Sequence, residues 1–358
     1  MIQGRLPKLA AAAILVVAFL VGFQPPVSAD IIPSDFNLQV TPSPLVATVK
    51  PGIKTQIELK IRNGGSGSEQ LKIEPRSFSL SNDSSKVTLL DTTPPEIASW
   101  ISFSQPKFTI APGEWENEAV TLNVPKDAGF SYSFALVVSR QNPPKASSGR
   151  VINGSLAVFT LINVDRPGAS TNLQIASFTA SKHVYEYLPA TLSVRFHNAG
   201  NTIAQPYGNI FIGRGSASQN PMASLTVNKT HGYILPNTER TIAASWSDGF
   251  PAYQIIQNPD GTTKQKLAWN WGDLSKLRIG RYTAHLVAVY SQNGRDVPIE
   301  GSVSFWVIPW KILIGVLLVA LLLLFALFML LRTIARPIWR RLRKKNTVPE
   351  APEKAEND

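Results

Sequence analysis

Two indole rings two positions apart, Trp269 and Trp271, stand in a short segment with Phe250, Tyr253, Asn270 and Asp273, and Asn258 and Asp260 lie close by. Flat aromatic faces beside amide and carboxylate groups can stack on sugar rings or anchor a protein partner. If the segment is extended, Trp269 and Trp271 share one strand face. The competing reading is core packing, the commoner fate of an aromatic pair in a β-sandwich. Phe250, Tyr253, Trp269, Asn270, Trp271 and Asp273 are the candidate ligand- or partner-binding residues.

Other chemistry is poorly represented. The four histidines, His183, His197, His231 and His285, make no HExxH or Hx3–5H spacing, so no metal site is expected. There is no cysteine, hence no disulfide, thiolate nucleophile or thiolate metal site. A GxSxG elbow, a P-loop and a Gly-rich fingerprint after a strand are all missing, which leaves no catalytic residue and no cofactor to assign. Asp260-Gly261 and Asn293-Gly294 read as hairpin turns. Sequons begin at Asn82, Asn153 and Asn228, and in a chain rich in Ser, Thr and Asn chance explains them best.

The formal net charge of +11 suggests nucleic acid until it is located along the chain. Arg5 and Lys8 give the first 29 residues +2, and nine Lys or Arg against four acids give residues 311–358 +5. Only +4 remains for residues 30–310, too little for a nucleic-acid footprint. Membrane topology accounts for most of the rest. Residues 1–29 follow the export pattern, with basic Arg5 and Lys8, an apolar run from Leu9 to Phe23, and small residues at Val27-Ser28-Ala29 for cleavage before Asp30. Residues 312–331 are uncharged and apolar, and 20 residues at about 1.5 Å each match a hydrocarbon core of about 30 Å. Trp306, Trp310 and Trp339 flank this span as interfacial aromatics, and Arg332, Arg336, Arg340 and Arg341 crowd its C-terminal side. The positive-inside rule then puts residues 332–358 in the cytoplasm as a basic tail and the rest of the chain outside the cell membrane, a single-pass arrangement.

Something must position the aromatic segment, and between Asp30 and Pro309 the pattern is of short Val-, Ile-, Thr- and Phe-rich runs separated by Pro, Gly, Asn and Ser, without helical periodicity. This predicts an all-β class: two tandem Ig-like β-sandwich domains, residues 30–165 and 171–308, plus one C-terminal transmembrane α-helix. Ile57 to Arg62 alternates apolar and charged residues, and Leu192 to His197 repeats the alternation 135 positions later. Each run meets a turn, Asn63-Gly64-Gly65 or Asn198-Ala199-Gly200, read as tolerating positive φ. The correspondence continues, which indicates duplication. Ile110-Ala111-Pro112-Gly113 before Ala119–Val124 matches Ile234-Leu235-Pro236-Asn237 before Thr241–Trp246, and Phe130–Val138 matches Tyr282–Tyr290. The closing strands are Leu156–Val164 and Ser302–Ile308. The second copy carries an insertion from Asp248 to Lys276, which holds the candidate site.

Val49-Lys50-Pro51-Gly52, Asn63, Ile110-Ala111-Pro112-Gly113, Leu235-Pro236-Asn237, and Trp271-Gly272 leading to Leu277 and Gly280-Arg281-Tyr282 carry a resemblance. In these and in its order of parts the chain resembles the bacterial WxL-interacting proteins. The likeness implies a non-enzymatic scaffold with a peptidoglycan-binding sandwich, a second sandwich that binds host proteins, one membrane helix and a basic tail. The expected partners are therefore the membrane, peptidoglycan or another wall glycan, and surface proteins, with no nucleic acid. A chaperone-like accessory subunit of an export or assembly system, working through an exposed edge strand, is the alternative. A glycan-acting enzyme using acids near Trp269 and Trp271 is the third.

Overall fold

In strand β3 (Lys54–Asn63) the alternation of Ile57, Leu59 and Ile61 with Glu58 and Lys60 becomes alternation of buried and exposed side chains, because successive residues of a strand point to opposite faces. The same holds for Ala190–Asn198, where Leu192, Val194 and Phe196 are fully buried. The computed structural model describes residues 36–81, 86–142, 154–215, 220–258, 261–292 and 294–344, with the side chains of the last helix described to residue 333. The export segment 1–29, the sequons at Asn82 and Asn153, the turn residues Asp260 and Asn293, and the tail from residue 345 lie outside the described residues.

The first half holds β1 (Leu38–Thr41), β2 (Leu45–Val49), β3, β4 (Glu69–Arg76), β5 (Phe78–Leu80), β6 (Val87–Leu89), helix α1 (Pro95–Ala98), β7 (Ile101–Phe103), β8 (Lys107–Ile110), β9 (Trp115–Asn123), β10 (Ser131–Arg140) and β11 (Ser155–Val164). One sheet has the order β1-β3-β9-β7 and the other β2-β11-β10-β4-β8. Leu59, Ile61 and Leu122 of the first sheet meet Leu71, Phe134, Leu136 and Ile162 of the second in one core, each contributing about 1.5–3 kcal/mol on leaving water.

The second half holds β12 (Leu173–Ala180), β13 (Val184–Tyr185), β14 (Ala190–Asn198), β15 (Tyr207–Arg214), β16 (Ala223–Val227), β17 (Glu239–Trp246), β18 (Ala252–Gln257), β19 (Thr263–Ala268), β20 (Gly280–Gln292) and β21 (Arg295–Val307). Its sheets run β12-β14-β17 and β13-β21-β20-β15-β16, around a separate core of Leu192, Phe196, Ile212, Trp246, Leu286 and Phe305. Strand for strand this is the order of the first half, with no counterpart of β7 among the described residues. The short strands β2 and β13 even repeat a parallel pairing, with β11 and β21.

The duplication reaches single hydrogen bonds. Asn63 is fully buried, donates to the carbonyls of Gly67 (2.7 Å) and Ile110 (3.1 Å), and accepts from Gly65 N. Asn198 does the same with Thr202 (2.8 Å), Ile234 (3.0 Å) and Gly200 N. These asparagines are therefore not the positive-φ residues the sequence suggested. That conformation belongs to the facing turns, at Gly113 (φ 79°) and Asn237 (φ 57°), whose amides donate to the carbonyls of Asn63 and Asn198. Each asparagine closes a strand end by hydrogen bonding buried backbone groups there.

Three further differences from the sequence reading have simple causes. Residues 77–106 form an elaboration of the first copy, with β5, β6, α1 and β7, where the second has only residues 215–222 between β15 and β16. Helix α1 has four residues and a 3₁₀ helix at Trp271–Lys276 has six, too short to show periodicity. Strands β20 and β21 reach 13 residues each, longer than the runs seen in the sequence, because β21 past its apolar end is half-exposed and contains Pro298. That proline is tolerated where β13 no longer pairs β21.

The two sandwiches are joined tightly. Asn201 accepts from Ser170 N (2.8 Å) and donates to Gly168 O (2.9 Å), while Asn163 accepts from Ile203 N (2.9 Å) and Ser131 donates to Asn201 O (3.0 Å). At Gly200 any Cβ would lie 2.4 Å from Ser170 O, so only glycine allows this approach. After β21 only Ile308 and Pro309 precede helix α2 (Trp310–Lys344). Residues Trp310–Thr333 of α2 are long and apolar enough to cross a membrane, two residues beyond the expected span at each end. The helix continues to Lys344, so the positions of Arg332, Arg336, Trp339, Arg340 and Arg341 are helical rather than part of an irregular tail.

Candidate functional site

The insertion begins where β17 ends in buried Trp246. Asp248 then accepts from Arg278 (2.7 Å) and pairs with Lys276 (3.3 Å), which draws the two ends of the segment together. Phe250 N donates to Lys276 O (3.0 Å), and β18 and β19 pair as a hairpin from Ala252↔Ala268 to Gln257↔Thr263. β19 stops at Ala268, and Trp271 opens the 3₁₀ helix. A shared strand face is therefore not what brings the two indoles together. The turn does so, with ring centroids 5.8 Å apart, each against Phe250 at 5.8 Å (Trp269) and 5.5 Å (Trp271).

Exposure separates these rings. Phe250 is buried, whereas Trp269 is 45% and Trp271 69% exposed, so the core reading applies to Phe250 alone. Phe250 is a pedestal that holds two solvent-facing indoles at an angle of 32° to each other. The polar candidates are engaged beside them. Asn270 donates to Asp273 (2.5 Å), and Lys276 bridges Asp273 (3.0 Å) and Asp248. Hydrogen bonding to Lys276 holds the Asp273 carboxyl below the usual aspartate range. Lys276 is raised in turn, first by Asp273 and then by Asp248. Asn270 and Asp273 are thus paired with each other and with Lys276 beside the two exposed indoles.

Tyr253 is not part of that face. Its amide donates to Leu188 O (2.8 Å) and its ring meets Tyr187 at 6.1 Å. Burial, reinforced by the Glu186 carboxylate, pushes the Tyr187 phenol up. Glu186 pairs with Lys311 (3.0 Å) in the first turn of α2, beside exposed Trp310 and close to exposed Trp306. The base of the hairpin is thus tied to the entry of the apolar helix.

Sequence reading passed over Ile255 (70% exposed), Ile256 and Leu274, further exposed apolar side chains of the same segment. A signal was present: Ile255 and Ile256 are adjacent, and neighbours on a strand cannot both face one core. Among the described residues no three metal-ligating side chains converge.

No family model matches the chain, and no curated protein matches it. Solved structures to which it is similar include the class 5 fimbriae chaperone CfaA, at TM-score 0.34 and 12% identity over 76% of this chain and 100% of that one. Another is a chain of the CsuC–CsuE chaperone-tip adhesion subunit pre-assembly complex from the archaic chaperone-usher Csu pili of Acinetobacter baumannii. There the TM-score is 0.35 and the identity 13%, over 74% of this chain and 97% of that one. The E. coli chaperone DraB gives 0.31 and 14% over 66% and 98%.

Proposed function

We propose that this chain is a non-enzymatic binding and scaffolding protein of the cell surface. In this reading residues 30–165 and 171–308 are Ig-like domains held outside the membrane by α2, with the basic end of the helix in the cytoplasm. The observation that carries it is the pair of exposed indoles, Trp269 and Trp271, fixed on buried Phe250 in an insertion that the duplicated fold does not need. Binding commonly resides on such segments, where a rigid scaffold presents a loop. Surface proteins or a wall glycan are the ligands this face suits. Peptidoglycan as a ligand of the first sandwich rests on the resemblance to WxL-interacting proteins.

The test is a Trp269→Ala, Trp271→Ala double variant of the full chain in detergent micelles, assayed for sedimentation with isolated cell wall and for cross-links to surface proteins in intact cells. Loss of both, with a melting temperature within a few degrees of the parent, supports the reading. Unchanged capture by the double variant sinks it. A second reading, a chaperone-like accessory subunit of an assembly system, is favoured by a different observation: β17 ends its sheet with no strand on its outer edge among the described residues. Cross-links to unfolded secretory chains rather than to folded surface proteins would select it.

A further inference from the structure

Because the two sandwiches share one strand order, each serves as a control for the other, and one place is filled in the first and open in the second. In the first, the outer edge of β9 is covered by β7, through Ile101, Ser102 and Phe103 against Leu122, Thr121 and Val120. Ser104 N to Ala119 O (3.1 Å) and Asn123 N to Trp100 O (2.7 Å) extend that seam. Matching Asn63 to Asn198 through the two registers sets Val120–Leu122 on Ala244–Trp246 of β17. Among the described residues no strand lies there, since β17 terminates the sheet β12-β14-β17. Instead a groove of about 370 Å³ runs between β17 and β16, the edge strand of the opposite sheet.

Natural sheets blunt their edges with prolines, bulges, charges or very short strands, since an unpaired edge is a template for another chain. Four other edges among the described residues show these devices. β1 runs into Pro42, β12 is bulged between Ile175 and Ser177, β13 has two residues, and β8 carries Lys107. β17 carries Glu239 and Arg240 at its first two positions, but Thr241-Ile242-Ala243-Ala244-Ser245 beyond them holds no proline, bulge or charge, and neither does Ala223–Val227 across the groove, which Pro221 precedes. The lining also has a sign. Lys229 and Arg240 contribute to it, no acidic residue does, and Lys229 makes no ion pair among the described residues.

We propose that this groove accepts an extended segment of a partner polypeptide as an added strand on β17, in the place β7 fills in the first copy, with an acidic side chain of that segment meeting Lys229 and Arg240. Main-chain hydrogen bonds to β17 supply the affinity, and the small side chains of Ala243 and Ser245 leave room for the incoming backbone. The proposal deepens the second reading above and is independent of the indole face.

The experiment follows hydrogen exchange of residues 241–245 in the full chain in detergent micelles. The probe is a labelled peptide of alternating valine and threonine ending in two aspartates. It should slow exchange at these residues about tenfold, the equivalent of about one well-made hydrogen bond. Ending the peptide in lysines, or changing Lys229→Glu, should weaken binding about tenfold, and a central proline in the peptide should abolish protection. The Trp269→Ala, Trp271→Ala variant should bind the peptide as the parent does, so that failure of the indole site and failure of this one are told apart. No protection by any peptide, or equal protection by the proline peptide, overturns the proposal. So does protection without peptide that rises with protein concentration, because a second copy then fills the groove.

Discussion

Asn63 and Asn198 each engage three backbone groups at the end of a strand, one of which, Ile110 O or Ile234 O, also accepts from Ser68 Oγ or Ala204 N. Asn63→Ala would take the side-chain partner from Gly67 O and Gly65 N, at about 1–3 kcal/mol each before relaxation, and leave Ile110 O with Ser68 Oγ alone. A total loss of about 3 kcal/mol in urea unfolding is expected, and Asn198→Ala should match it because the geometry repeats. A loss below 1 kcal/mol would show that water replaces the side chain. Asn228 is a third such residue, buried, with its amide nitrogen donating to Pro206 O and Gly232 O (both 2.8 Å). Its sequon is consequently inaccessible to a glycan, and mass spectrometry of surface-expressed protein should find it unmodified. Asp273 offers a pH signature. With its folded pKa depressed by Lys276, its ion pairing favours the fold above the unfolded aspartate pKa, and that contribution disappears as pH falls through the lower folded value. Carboxyl NMR should place its midpoint below that of an ordinary aspartate, and Lys276→Gln should raise it again.

At the level of elements, the insertion separates support from contact surface. Phe250→Ala removes the buried pedestal and should cost about 3–5 kcal/mol, whereas Trp271→Ala touches an exposed ring and should stay within about 0.5 kcal/mol. Thermal melts of the two single variants check this, and equal losses would mean the indoles are structural after all. The contrast was hidden in the sequence, where both residues are simply aromatics in one segment. What the sequence did reveal were β3 and β14, whose burial alternates, the helix, whose apolar run is unbroken, and the matching runs of the two halves. Strands β2, β7 and β13, of two to five residues, are too short to carry a period and are defined by what they pair with. The open edge of β17 was invisible for the same reason, since a missing strand is evident only when its counterpart is seen in place.

For the whole molecule, the proposed orientation rests on the polarity of α2. Protease added to intact cells should digest both sandwiches and spare an epitope tag after Asp358, because Arg332, Arg336, Arg340 and Arg341 lie on one side of an uncharged span. Loss of the tag from unlysed cells would reverse the orientation. The parallel pairings have a mechanical consequence. Tension drawn from the N-terminal strands to the membrane helix pulls along β2–β11 and β13–β21 in shear, so the bonds of each pair must give together. The outer clamp has five paired positions, Leu45–Val49 on Thr160–Val164, and the inner one has two, Val184 and Tyr185 on Trp306 and Val307. Single-molecule stretching from end to end should show two ruptures, with the weaker belonging to the second sandwich, and the reverse order would refute this. Under load the membrane-proximal unit would then act as a fuse. It lengthens first, at up to about 3.3–3.6 Å per released residue, while the outer sandwich stays folded.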